Sequence, residues 1–185
     1  MRVAVDSRPP VLEAKRVRLR PFRAGDRDNL FELFADPAVA RYWSSPPWTE
    51  KSQADTWLAG ALDVSNPTML QWVTADRETD ELIGTVTIFG LRADQKRAEI
   101  GYSLRSDHWG RGLAREAVSR ALVFGFDDLG LHRFEADVDP RNEASIGLLT
   151  RFGFVREGML RERWIVAGEI CDTAFFGLLA RELER

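Results

Sequence analysis

The sequence is short of the residues that staple small proteins or bind metals: 185 residues contain one cysteine, Cys171, and two histidines, His108 and His132. A lone cysteine forms no intramolecular disulfide, and neither histidine stands in a cluster with ligand spacing, so no metal is expected. An excess of one charge is also lacking. The 26 Lys+Arg against 29 Asp+Glu leave −3 at pH 7, and bulk electrostatics then offers no attraction to a phosphate backbone or an anionic bilayer, which argues against nucleic-acid and membrane partners. No apolar run approaches the roughly 20 residues of a membrane span. The opening MRVAVDSRPP places Asp6 and Arg8 where a secretory signal needs an apolar stretch, so a cytoplasmic protein is expected. Internal repeats and low-complexity tracts are missing too. What is present, 44% hydrophobic and 30% charged residues, suits one globular domain over residues 1–185, with 1–14 as a flexible or edge lead.

Periodicity supplies the elements. Val17 and Leu19 alternate with arginines as a strand, and Leu30, Leu33 and Phe34 mark a helix that opens at Asp26 and ends at Asp36-Pro37. Thr49 is expected to cap a second helix with Ala54, Trp57, Leu58, Ala61 and Leu62 as its buried stripe. From Met69 the period falls to two: a hairpin turning at Asp76–Asp80, then a third strand through Ala98, Ile100, Tyr102 and Leu104. Next come a helix carrying Ala114, Ala117, Val118, Ala121 and Leu122, a strand over 133–139, a short helix capped by Asn142, and a closing hairpin turning at Ala167-Gly168. This order predicts a mixed α/β fold.

The segment Trp109-Gly110-Arg111-Gly112-Leu113-Ala114 joins the third strand of the meander to a helix. Unpaired N–H groups and the positive end of the helix dipole converge there, and glycines at 110 and 112 let an oxyanion approach the main chain. Arg111 and Arg115 oppose the dipole unless a polyphosphate is bound; a tight turn with solvated arginines accounts for the same residues. No Gly-Lys-Ser/Thr follows, which excludes a nucleoside-triphosphate loop. Arg115 stands where a dinucleotide fingerprint needs its third glycine, so a nicotinamide site is the weaker competitor.

Four ordered motifs carry a resemblance. Glu99–Leu104 (EIGYSL), Trp109–Ala117 (WGRGLAREA), Asn142–Ser145 (NEAS) and Phe152–Gly158 (FGFVREG) together resemble the GNAT acetyltransferase superfamily, more narrowly its Rim-type branch of ribosomal-protein N-terminal acetyltransferases. The likeness runs from Arg18 to Leu179. Trp109 stands where the superfamily usually has Gln or Arg, as that branch commonly has it.

The resemblance implies a central, mostly antiparallel twisted sheet with a splayed parallel pair and about four flanking helices. It implies acetyl-CoA as cosubstrate and an amine acceptor: a protein N-terminus, an aminoglycoside, a polyamine or another small amine. By the same likeness, Trp109, Gly110, Arg111, Gly112, Leu113, Ala114 and Arg115 bind the cofactor, with the pyrophosphate on the N–H groups of Arg111 to Ala114. The pantetheine lies along Tyr102, Ser103 and Leu104, with Asn142 hydrogen-bonded to it. Glu99 matches a carboxylate that deprotonates the amine; a solvent-facing strand residue or cross-strand ion pair is its plain alternative. Many relatives place a tyrosine acid seven residues after the Asn, where this chain has Leu149, and Ser145 is the available hydroxyl, otherwise a helix-end contact. Tyr42, Trp43 and Trp48 fall where relatives build the acceptor wall, although aromatics in such number also fill core. Arg161 and Asp172 match polar positions of the branch, with a structural ion pair as the bland account. Direct transfer in a ternary complex is expected, since no nucleophile is positioned for an acyl-enzyme, Cys171 in the closing hairpin being the one exception. A non-catalytic acyl-CoA sensor is the alternative of another class. Family analogy also points to a homodimer.

Overall fold

The computed structural model describes residues 8–63 and 65–184. Residues 1–7 of the expected lead lie outside the described residues. Strands β1 (Leu12–Glu13), β2 (Val17–Arg20), β3 (Leu70–Asp76), β4 (Leu82–Arg92), β5 (Arg97–Leu104), β6 (Arg133–Val138), β7 (Val155–Val166) and β8 (Glu169–Leu179) form one sheet. Their order is β1-β2-β3-β4-β5-β6-β8-β7. Every neighbouring pair is antiparallel except β5–β6. Helices α1 (Arg27–Ala35), α2 (Pro37–Ala40), α3 (Lys51–Leu62), α4 (Leu113–Val123) and α5 (Glu143–Thr150) accompany it. The mixed α/β fold with one parallel pair is as anticipated; the helix beyond the expected four is the single turn α2.

At β3 both faces of the sheet are covered, whereas β5 and β6 alternate buried apolar with partly exposed polar residues. In β3, Leu70 and Trp72 enter a core shared with α4 and α5, while Val73 and Ala75 point the other way, onto Leu30, Leu33 and Phe34 of α1 and Leu58 of α3. Of the expected α4 stripe, Ala117, Val118, Ala121 and Leu122 are each no more than 1% exposed, while at the first turn Leu113, at 2%, takes the core position and Ala114 is only partly buried. A five-residue π turn, Phe124–Asp128, continues α4 toward Gly130.

Two expectations at α3 are corrected. The cap position is Glu50, not Thr49; the Gln53 carboxamide oxygen accepts from the N–H of both Thr49 (2.8 Å) and Glu50 (3.0 Å), so a side chain one turn in satisfies the free donors. The stripe is also narrower than drawn: Ala54 and Leu58 are buried, Trp57 and Ala61 pack at its margin, and Leu62 is exposed.

A buried ion pair pins the first strands. The Arg20 guanidinium donates to both Asp26 carboxylate oxygens, at 2.9 and 2.8 Å, and to the Asp80 carbonyl at 2.9 Å. Asp26 also accepts from the Arg23 N–H at 2.7 Å. The bond set ties β2 to the start of α1 and to the β3–β4 turn. Arg20 and Asp26 are 2% and 5% exposed, so removing one partner strands a charge away from water. Asp26→Asn is expected to cost about 3 kcal/mol in denaturant unfolding; a loss below about 1 kcal/mol, the range of exposed pairs, would contradict this account.

Candidate active site

The parallel pair separates after three registers. Arg97, Ala98 and Glu99 match Arg133, Phe134 and Glu135; beyond them β5 follows β4 to Leu104, and β6 follows β8 to Val138. Each strand keeps the twist of its outer partner, so the two diverge and leave facing backbone edges without a strand partner. A cavity of about 600 Å³ occupies this region, and Glu99, Tyr102, Asp137, Asn142 and Ser145 are among its walls.

Helix α5 closes one side. The Asn142 Oδ1 accepts from the Ser145 N–H at 3.1 Å, a cap that fixes the helix start just past β6. The Ser145 hydroxyl then meets the Tyr102 hydroxyl at 2.7 Å, joining α5 to β5 across the cleft. Burial pushes the Tyr102 phenol up to about 12, against a smaller opposing effect of the Ser145 hydrogen bond. Tyr102 therefore stays neutral at physiological pH. Leu149, one of the largest fully buried side chains, lines the cavity one turn further along α5.

Glu99 sits at the apex of the splay. Among the described residues its carboxylate has no hydrogen-bond or salt-bridge partner; the neighbouring Arg97 is engaged by Glu135 at 2.7 Å. The cross-strand ion pair considered for Glu99 is therefore not formed. Burial, then the charges of Glu135 and Asp137, hold the Glu99 carboxyl above its usual range, with Arg97 and Arg163 opposing.

The glycine-bracketed turn lies at the start of α4, outside the cavity lining. Gly110 and Gly112 adopt φ of +71° and +76°, a region costly for residues with a Cβ. Gly112 occupies the cap position of α4. A Cβ on Gly110 would meet nothing within 4 Å, so solvent reaches the main chain there. Glu116 in the first turn takes the Arg16 guanidinium. Arg111 and Arg115 are exposed and, among the described residues, have no ion-pair partner. Trp109 donates its indole N–H to the Leu104 carbonyl at 2.7 Å, anchoring the turn to the end of β5.

The aromatic group divides. Tyr42 and Trp43 line the cavity, with Arg41 over the Tyr42 ring. Trp48 does not line it; its ring lies 4.8 Å from that of Phe34 in the core beneath α1 and α3. Among the described residues Arg161 and Asp172 form no salt bridge; Asp172 accepts the Glu162 N–H at 2.8 Å. The wall also holds Asp137, Arg163, Trp164 and Cys171, none of them among the site residues expected from sequence. Strand alternation alone would have put Asp137 on the Glu99 face. Among the described residues no group of three or more His, Cys, Asp or Glu is placed to hold a metal, and no helix is long and apolar enough to cross a membrane.

A mostly antiparallel sheet, split at one parallel pair and followed by a glycine turn at a helix start, is the architecture of the N-acetyltransferases. The chain belongs to the acetyltransferase (GNAT) domain family, whose model matches residues 16–155. It is 38% identical over 172 residues to the uncharacterized N-acetyltransferase p20 of Bacillus licheniformis, covering 92% of this chain and 97% of that one. It is 28% identical to the spermidine N(1)-acetyltransferase of Escherichia coli K12, over 84% of this chain and 82% of that one. Among solved structures, RimJ of Mycobacterium smegmatis in complex with CoA-disulfide is similar, with a TM-score of 0.82 and 25% identity over 97% of this chain and 91% of that one. The protein is an acyltransferase of this family.

Only two tyrosines are present, so the Tyr102 environment can be read directly. By ¹³C NMR at about pH 10.5, where a free phenol is mostly ionised, the Tyr102 ring is expected to remain protonated. Ser145→Ala should move its titration further up. A Tyr102 that ionises near the ordinary value would contradict the buried hydroxyl pair.

Proposed function

We propose that the protein transfers an acetyl group from acetyl-CoA to a primary amine by direct attack in a ternary complex. The observation that carries the reading is an unpaired carboxylate, Glu99, at the apex of a cleft whose two strand edges are open. The residues present fit the cosubstrate. Gly110 and Gly112 leave a cradle free of Cβ atoms at the start of an 11-residue helix, suited to a diphosphate on the N–H groups of Arg111, Gly112, Leu113 and Ala114. The unpaired edge of β5 at Tyr102, Ser103 and Leu104 offers amide partners to a pantetheine arm, as an added strand would, and Asn142 stands beside it. Trp109 and Arg115 flank the cradle. When bound, acetyl-CoA supplies an activated acetyl thioester.

Glu99 accepts one proton of the acceptor ammonium: an N–H bond breaks as an O–H bond forms. The freed lone pair forms the C–N bond to the acetyl carbonyl, the C–S bond breaks with its electrons on sulfur, the second proton lost by the nitrogen ends on the departing thiolate to give the CoA thiol, and Glu99 returns its own proton to water. A backbone N–H at Ser103 or Leu104 polarises the carbonyl. Ser145 holds a hydroxyl toward the departing sulfur. Tyr102 keeps that hydroxyl in place, since a phenol near 12 gives up its proton less readily than a thiol, with ordinary pKa about 8.5. Tyr42 and Trp43 form the acceptor wall. A protein N-terminus, a polyamine or an aminoglycoside carries the primary amine this chemistry needs; by family analogy the enzyme is a cytoplasmic homodimer.

Thiol release from acetyl-CoA with a panel of N-terminal peptides, polyamines and aminoglycosides tests the reading: release that depends on an amine is expected, and binding without release throughout would contradict it. Glu99→Gln should lower kcat about a hundredfold with CoA affinity unchanged. A base must be ionised to act, so kcat/KM should fall as pH drops through a Glu99 value above the ordinary carboxylate range; an unchanged rate at every pH would remove Glu99 from the chemistry. Gly112→Val should weaken CoA binding, measured by calorimetry on the folded variant, and intact affinity would reject the cradle.

A further inference from the structure

Of the cavity-wall carboxylates that the chemistry above leaves unused, Asp137, Asp139, Glu169 and Asp172, Asp137 is the one on β6 itself. Asp137 follows Glu135 by two residues on β6, so it shares the sheet face of Glu135 and Glu99. It lies past the last paired register, inside the splay. Continuing the Glu99–Glu135 register by two brings Gly101 opposite Asp137, and Gly101 has no side chain with which to cover it. The one heavy atom within 4 Å of a Cβ built there belongs to the Phe89 ring.

The two oxygens of Asp137 are unequally occupied. Oδ1 accepts from the Thr173 hydroxyl at 2.5 Å and from the Trp164 indole N–H at 3.4 Å. Oδ2 has the Arg163 Nε at 3.9 Å, beyond hydrogen-bond reach, and that guanidinium is half exposed and lies 5.6 Å over the Trp164 ring. The neighbouring carboxylates Glu135 and Asp139 are tied to arginines. Glu135 is held by Arg97 at 2.7 Å and by Arg133 at 2.9 Å; Arg141 is shared by Asp139 and Glu169, each at 2.6 Å. Asp172 accepts a backbone N–H, and Arg41 stacks on Tyr42. On the two diverging strands, the carboxylates without an arginine in hydrogen-bond reach among the described residues are Glu99 and Asp137, both in the wall of one cavity; Asp172, on β8, accepts only the Glu162 N–H.

We infer that Asp137 is an acceptor-selecting residue: its Oδ2 receives the incoming amine as a primary alkylammonium and holds it beside Glu99. The inference rests on the acyl-transfer reading and adds the acceptor's charged form to it. Two carboxylates facing one cavity attract an ammonium, repel an acidic acceptor and give a neutral one no electrostatic gain. On deprotonation the N–H bond breaks, the O–H bond forms on Glu99, and Asp137 keeps its charge. That charge also favours the proton on Glu99, helping the base accept it.

Asp137→Asn tests this, because the carboxamide oxygen still accepts from Thr173 while the charge is gone. Two readouts need no turnover. In ¹³C carboxyl titrations, the proton affinity of Glu99 should fall at least threefold in the variant, and Thr173→Val, which removes the hydrogen bond but not the charge, should leave it unmoved. In calorimetry with CoA present, spermidine as the probe ammonium should bind at least tenfold more weakly to Asp137→Asn, with CoA affinity unchanged. On the wild-type protein alone, saturating spermidine should lower the Glu99 titration, since a nearby cation stabilises the carboxylate. An unmoved Glu99 titration in Asp137→Asn, or equal spermidine binding, or no spermidine binding by wild type, would overturn the assignment. Glu99→Gln separates the two readings: full turnover in that variant with weakened spermidine binding in Asp137→Asn rejects the base and keeps the ammonium site, whereas the reverse pattern keeps the base and rejects Asp137.

Discussion

The site depends on the divergence of β5 from β6 after Glu99 and Glu135. Up to that register the parallel strands share hydrogen bonds; beyond it each is held by its outer neighbour, β5 by β4 and β6 by β8. Two sheet halves with their own twist leave unpaired backbone between them, and an unpaired edge is costly unless something pairs with it. Here the unmet hydrogen bonds sit where an extended, amide-bearing arm would satisfy them. The helix that bridges the halves, α4, is anchored by a buried stripe, so the turn at its start is fixed relative to the cleft.

Side chains at the divergence sort by environment. Glu99 is half-buried beside other carboxylates and unpaired, so it tends to take up a proton. Tyr102 is buried against Ser145 and keeps its own. Glu135, on the same face as Glu99, is neutralised by two arginines. The contrast between Glu99 and Glu135, two residues in direct register, distinguishes a carboxylate left available for proton transfer from one committed to structure.

Much of this was legible in the sequence because the signals were local. The Leu70–Leu104 meander alternates, α4 repeats at helical spacing, and the glycines at 110 and 112 mark a turn that needs positive φ. Motif order carried the family and the splayed pair. The α3 cap misled because Gln53, four residues past Thr49, satisfies the donors from inside the helix. The aromatic group misled in part because spacing cannot tell a ring packed on Phe34, as Trp48 is, from one lining a cavity, as Trp43 also does. The Tyr102–Ser145 contact spans 43 residues and the Asp137–Thr173 contact 36. Neither leaves a trace in local periodicity, so the pairings emerge only once the sheet order is known.

The most direct measurement is a crystal structure of the protein grown with coenzyme A. The account predicts the pantetheine amides paired along the β5 edge at Tyr102–Leu104, and the diphosphate on the main chain between Arg111 and Ala114. A well-ordered coenzyme with its diphosphate away from the start of α4, or its arm outside the gap between β5 and β6, would contradict the claim that this divergence is the active cleft.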